Sequence, residues 1–182
     1  MILGLDLSTT VCGYCILSIN GEIKDLNHYN FESKNMLEKA GELKKLIDEI
    51  VNRYNIEKFF IEERLQGFRA GGTNADAIFK TAALNFYGQV LITEKKIPIV
   101  ALNVNSARAN VFPGFHKIAR RIKGIKHKEL IFDFVKKELG DSFFPTKILK
   151  SGPKKGQVIF IEESKDRADA YVIAKAGLNL QK

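Results

Sequence analysis

The residues with the clearest capacity for chemistry are four acids spread along the 182-residue chain. Asp6 interrupts the apolar run Met1-Ile2-Leu3-Gly4-Leu5-Asp6-Leu7. A carboxylate in such a strand is costly unless something cationic satisfies it. Glu62, with Glu63 beside it, closes a second apolar run, Lys58-Phe59-Phe60-Ile61-Glu62. Asp166 and Asp169 lie three apart, so on a helix they share one face. Carboxylates gathered at one spot repel and stay partly protonated without a counter-charge. Mg²⁺ supplies that charge and prefers oxygen ligands, Mn²⁺ substitutes for it, and zinc is not favoured. Two such ions, about 3.5–4 Å apart, activate a water and stabilise the leaving oxygen of an in-line phosphoryl displacement. Taken singly, Glu63, Asp166 and Asp169 also read as solvated strand-end or helix residues. Asp6 does not, because its neighbours on both sides are apolar.

These acids need elements to hold them. Met1–Leu7, Cys12–Ile19 and Ile23–Phe31 read as a three-stranded meander, with Asn20-Gly21 as its hairpin signal. Asn35 with Glu38 resembles a capping box. Leu43, Leu46, Ile47, Ile50, Val51 and Tyr54 then follow helical spacing. Lys58–Glu62 is a short buried strand. A glycine-rich loop, Gln66–Gly72, holds Phe68 and Arg69. A long helix is expected from about Thr73 to Glu94, with Ile78, Ala82, Phe86 and Val90 on one side. A strand at Ile97–Leu102, a helical segment near Asn105–Val111 and an amphipathic helix at Lys126–Leu139 follow. Lys147–Leu149 and Val158–Ile161 flank a turn and suggest a hairpin. A last helix, Ser164–Ala176, should end near Gly177. Strands first as a meander, then alternating with helices, imply a mixed sheet with helices on its faces. No linker or repeat divides the chain, so residues 1–182 read as a single domain.

The formal charge of +8 suits a polyanionic partner. It is concentrated between His116 and Lys128, where Lys117, Arg120, Arg121, Lys123, Lys126 and Lys128 occur without one acid. Such a run suits phosphate contacts, which set affinity and register but read no sequence. Gly114 and Gly124 would let it bend around a nucleic-acid backbone. Cys12 and Cys15 invite a redox or zinc reading by spacing. On one strand, however, they point to opposite faces, and no further Cys or nearby His completes a zinc site. They read as small core residues in a reducing cytoplasm. The start of the chain lacks the basic region of a secretory leader. No apolar run reaches the roughly 18 residues that span a bilayer.

Gly4-Leu5-Asp6-Leu7-Ser8 followed by Gly13-Tyr14 resembles the opening of RuvC-type Holliday junction resolvases, in the RNase H-like superfamily. Phe60-Ile61-Glu62-Glu63 resembles their second acidic motif. Asn74-Ala75-Asp76-Ala77, with Gly88 in the same helix, is similar to the helix that follows it. Asp166-Arg167-Ala168-Asp169-Ala170 resembles the closing D-x-x-D-A motif. Together these span residues 1 to about 176. The resemblance implies an α/β, RNase H-like fold with a mixed five-stranded sheet flanked by helices. It implies a homodimer and a two-metal, Mg²⁺-dependent endonuclease that resolves four-way DNA junctions, leaving 5′-phosphate and 3′-hydroxyl ends. The catalytic and metal-binding roles fall on Asp6, Glu62, Asp166 and Asp169. A catalytic or phosphate-binding lysine falls on Lys128, with Lys126 as its close competitor.

The chain also departs from that pattern. The family often carries an aromatic wedge shortly after the second acid. Here Leu65 stands there, and Phe68 comes later with Arg69. Phe68 reads either as a base-stacking residue or as a plug under its loop. The stretch Phe143–Glu163 is long for the family. Its Lys147, Lys150, Lys154 and Lys155 extend the DNA surface or form a solvated tip. In its divergence the chain resembles phage and poxviral members, for which the compartment would be the host cytoplasm. Three other readings remain open at the level of sequence. One is a nuclease for other branched DNA or RNA–DNA hybrids. A second is an actin-like or sugar-kinase-type ATP-binding domain, since Asp6-Leu7-Ser8-Thr9-Thr10 resembles a phosphate-binding hairpin. The third is a DNA-binding module that does not cut.

Overall fold

The computed structural model describes residues 1–63, 75–122, 124 and 126–181. Leu65, the glycine-rich loop with Phe68 and Arg69, the expected helix start at Thr73, and Lys123 lie outside the described residues.

The meander forms as read. β1 (Ile2–Leu7), β2 (Val11–Leu17) and β3 (Ile23–Asn30) pair antiparallel in turn. β4 (Lys58–Glu62) then adds parallel to β1, and β5 (Ile99–Leu102) adds parallel to β4. The sheet order is β3-β2-β1-β4-β5. β1 is therefore central, and all six of its residues are buried. A strand covered by helices on both faces reads as a continuous apolar run rather than an alternation.

The two faces of the sheet carry two cores. Leu3, Leu5 and Leu7 of β1 join Cys12, Ile16, Phe59 and Ile61 on one face. There α1 (Met36–Arg53) packs Leu43, Leu46, Ile47 and Ile50, and α2 (Ala75–Glu94) packs Leu84, Leu91 and Ile92. The Asn35 side chain caps α1 by accepting from the Leu37 amide at 2.8 Å. Ile2, Cys15, Leu17 and Phe60 point the other way. That face receives α3 (Val104–Val111), α4 (Phe115–Arg121), α5 (His127–Leu139) and α6 (Ser164–Asn179). Cys12 and Cys15 thus lie in opposite cores, both reduced and buried, as the alternation of side chains requires. A 3-10 turn (Asp141–Phe143) leads from α5 to a two-stranded hairpin, β6 (Thr146–Ile148) and β7 (Val158–Phe160).

The structure refines two of these expectations. On α2, the buried line is Leu84, Gly88 and Leu91, whereas Phe86 is 59% exposed and Ile78, Ala82 and Val90 are half-buried. The helix is apolar around most of its circumference, so spacing alone leaves its inward face undetermined. Gly177 does not end α6, which continues to Asn179. Instead Gly177 lies against the Phe60 ring, where an added Cβ would come within 2.4 Å of ring carbons.

Candidate active site

α6 approaches the sheet closely because two strand glycines leave room for it. An added Cβ at Gly4 would sit 2.5 Å from the Ala174 amide nitrogen. One at Gly13 would sit 2.3 Å from the Asp166 carbonyl oxygen. Neither separation is compatible with a side chain, so glycine is required at both positions. Ala168, Ala170 and Ala174 supply matching small residues from the helix, all fully buried. Gly13 faces Asp6 in the β1–β2 ladder. The first turn of α6 is thereby seated beside Asp6.

Parallel pairing completes the group. Leu5 stands opposite Ile61, so Asp6 and Glu62 come next on adjacent strands at the carboxyl ends of the sheet. Asn85 of α2 donates to the Glu62 carbonyl at 3.1 Å, and the Glu63 amide donates to the Leu102 carbonyl at 2.7 Å. These bonds hold the end of β4 in place. Asp6 and Glu62 both line a cavity of about 310 Å³ walled by Leu7, Ile78 and Ala82, with Ser8 and Thr81 as polar members.

Lys128, in the first turn of α5, reaches into the acids. Its Nζ lies 2.5 Å from Asp166 Oδ1, 3.7 Å from Asp6 Oδ2 and 3.8 Å from Asp169 Oδ2. Lys126 is the exposed N-cap residue of α5. Of the two lysines, Lys128 is therefore the one placed beside the acids. Burial works against its ammonium, but Asp6, Asp169 and Asp166 together hold its pKa above the usual lysine value. Asp6 is raised well above the ordinary carboxylate range, by burial first and then by Asp169, with Glu62 and Asp166 adding to it. Glu62 is raised by burial and by Asp169.

Arg108 is a member of the site that the sequence motifs did not point to. From α3 it donates through Nη2 to Asp169 Oδ1 at 2.9 Å, and both side chains are nearly buried. Among the described residues its Nε is buried without a hydrogen-bond partner. A signal was present in the sequence: Arg108 is the single charged residue between Lys96 and Lys117. A lone cation in a neutral stretch has no local acid to pair with, so where its side chain is buried it must find an anion from elsewhere in the chain.

Four carboxylates therefore face two cations, a formal deficit of two positive charges. Among the described residues no three acids stand in a ready-made metal shell. The ammonium of Lys128 lies between them instead. The donor set is all oxygen and its charge deficit matches one divalent ion, so the residues fit Mg²⁺ or Mn²⁺ chemically. The buried, raised carboxyl of Asp6 points the same way.

The remaining candidates lie away from this centre. Lys117, Arg120 and Arg121 are exposed or half-buried on α4, and no ion pair engages them or Lys126 among the described residues. Gly114 and Gly124 both take the left-handed conformation, which lets the segment turn at either end of α4. The Ser8 hydroxyl donates to the Val11 carbonyl at 2.9 Å and accepts from the Val11 amide at 3.0 Å. It closes the β1–β2 turn on itself, which does not favour a phosphate-binding role.

Comparison of the sequence with family models and with curated proteins finds no match. Solved structures do match. Thermus thermophilus RuvC in complex with a Holliday junction substrate superposes with a TM-score of 0.65 at 16% identity, covering 99% of this chain and 94% of that one. A second Thermus thermophilus RuvC structure gives 0.60 at 17% identity, over 99% and 95%. The yeast mitochondrial Holliday junction resolvase gives 0.55 at 16% identity, over 99% and 78%. The mixed sheet and its flanking helices are thus the RuvC, RNase H-like fold.

Proposed function

We propose that this chain, which shares the fold of RuvC-type resolvases, is a structure-selective endonuclease that resolves four-way DNA junctions by phosphodiester hydrolysis. One observation carries the reading: carboxylates from two distant parts of the chain, Asp6 on one side and Asp166 and Asp169 on the other, all lie within 3.8 Å of one ammonium. An arrangement that concentrates so much buried negative charge is costly for folding. It is explained if the site exists to hold cations against a phosphate.

Asp6, Glu62, Asp166 and Asp169 would hold Mg²⁺, or Mn²⁺ in its place, as two ions per site. The ions supply an activated water and charge neutralisation at the leaving oxygen. The four acids would accept one divalent ion on charge alone, and a bound phosphate would bring the negative charge for a second. Lys128 remains protonated, so it acts as a cation toward the phosphate rather than as a general base. Its side chain is 42% exposed, which leaves the ammonium within reach of a substrate. Arg108 would hold Asp169 in place through their buried ion pair.

Lys117, Arg120, Arg121, Lys123 and Lys126 would carry the DNA backbone, joined by Arg69, with Phe68 as the stacking residue. The exposed Phe86 side of α2 is the proposed homodimer face, since two symmetric sites can nick opposing strands. Residues 1–182 would act as one nuclease domain. No helix among the described residues is long and apolar enough to cross a membrane. A cytoplasmic enzyme, or one in a host cytoplasm, is consistent with its reduced cysteines.

The test is cleavage of a synthetic four-way junction in Mg²⁺, set beside linear duplex, flap and RNA–DNA hybrid. The expected result is selective cutting of the junction, lost without divalent ion and lost in Asp6→Asn. Equal cutting by wild type and Asp6→Asn would overturn the proposal.

A further inference from the structure

The hairpin β6–β7 stands outside the sheet and outside the catalytic group. Between Pro145 and Ile161 it carries Lys147, Lys150, Lys154 and Lys155 and no acid. All four lysines are exposed, and none is in an ion pair among the described residues. Other surface lysines do pair with nearby acids, as Lys44 does with Asp48 at 2.6 Å and Lys165 with Glu162 at 2.8 Å. The hairpin has therefore been left with uncompensated positive charge.

A hairpin of two three-residue strands is marginal by itself. Here its base is anchored to the helix that bears Asp166 and Asp169. The Ile161 amide donates to the Pro145 carbonyl at 3.1 Å, and the Ser164 hydroxyl donates to the same carbonyl at 3.2 Å. The Phe160 ring packs on Phe132 of α5 at 5.3 Å, beneath the Lys136 ammonium at 5.0 Å. Backbone bonds close its tip as well. The Leu149 amide donates to the Gln157 carbonyl at 3.0 Å, and the Gly156 amide donates to the Leu149 carbonyl at 2.8 Å. Lys150 lies two residues beyond the end of β6, towards the tip of the hairpin. Ile148 and Val158, paired across the strands, are both more than 60% exposed. This ribbon presents cations on a stem whose base is bonded to Ser164, in the same helical turn as Asp166.

We infer that the β6–β7 hairpin grips the phosphate backbone of a duplex arm that leads into the catalytic acids. The inference rests on the proposed nuclease reading for the nature of the polyanion. It extends the DNA surface to a place separate from the basic run on α4. A backbone grip of this type adds affinity and salt dependence without adding sequence preference.

The test uses the full chain with Lys150, Lys154 and Lys155 all changed to Ala, and a second triple with Arg at the same positions. Binding of a fluorescent four-way junction and of a linear duplex is titrated in Ca²⁺ over a range of salt. Each phosphate that a lysine neutralises contributes about 0.9 to the slope of log affinity against log salt. The Ala triple should therefore show a slope shallower by roughly two to three on both DNAs. Its affinity should fall on the order of tenfold or more at moderate salt. The Arg triple should keep the slope. Thermal melting should be unaltered in both. A wild-type slope in the Ala triple overturns the inference while leaving junction cutting by the wild-type chain intact. If instead the slope falls but wild type cuts no branched DNA, the DNA grip stands and the nuclease reading fails.

Discussion

Gly13 lies against the backbone of Asp166, where a methyl group on Gly13 would come within 2.3 Å of the Asp166 carbonyl oxygen. Gly13 also faces Asp6 across the ladder. The missing side chain at Gly13, with that at Gly4, thus lets the acids of α6 come up to the acid of β1.

Gly13→Ala is accordingly expected to push the first turn of α6 off the sheet. The overpacking should cost about 1–3 kcal/mol, read as a lower urea midpoint with an unchanged m-value. Cleavage should fall by tenfold or more even where the variant is fully folded, because Asp166 moves with the backbone. A folded Gly13→Ala protein with wild-type turnover would refute the role of this close approach.

Asp6→Asn should remove cleavage, by on the order of 10³-fold, while making the protein more stable. Asp6 has a folded-state pKa raised by burial and by Asp169. A raised carboxyl binds its proton more tightly in the folded state, so stability declines as pH rises from the unfolded value through the raised one. At neutral pH the folded protein bears that cost, and Asn relieves it. A melting temperature higher by about 2–4 °C for each kcal/mol is expected at pH 7, with the gain vanishing below the ordinary carboxylate pKa. Mg²⁺ should raise the melting temperature of wild type and should do so less for the variant.

Arg108→Ala leaves Asp169 buried at its short ion pair without the partner. Removing one member of such a pair costs on the order of 3–5 kcal/mol, which chemical denaturation would measure. Arg108→Lys should recover part of the stability but less of the activity, since a lysine lacks the planar fork of donors.

Arg167, next to Asp166, fastens the start of α6 to β3. It donates through Nε to His28 Nδ1 at 2.8 Å and through Nη2 to Asn27 Oδ1 at 2.6 Å. His28 can accept only while neutral, and its pKa is lowered by burial and by the Arg167 guanidinium. A histidine with a depressed folded pKa contributes stability above its unfolded value, lost as pH falls through the folded one. Melting temperature should therefore drop as pH is lowered below about 6.5. His28→Gln should flatten that part of the profile. An unchanged slope in the variant would place the acid sensitivity elsewhere.

Much of this molecule was legible in local sequence. Asn20-Gly21 and the apolar runs around it specify the meander because turn chemistry and side-chain alternation act over a few residues. Asn35 starts α1 for the same reason. Asp6 stood out because its neighbours are all apolar, and the acid pair on α6 followed from helical spacing. The inward face of α2 was not legible, since several of its faces are apolar and only the position of Leu7 and Leu43 selects one. Gly177 resembled a helix stop until Phe60 was placed against it.

Sequence alone determined most of the elements and the kinds of charge they bear, though the short α4 within the basic run was not among those it marked. Tertiary structure decided which charges meet: Lys128 rather than Lys126, and Arg108 with Asp169 across 61 positions of chain. Local propensities cannot encode such pairings. They follow from how closely α6 settles on the glycines of β1 and β2, a distance set by packing between segments far apart in the chain.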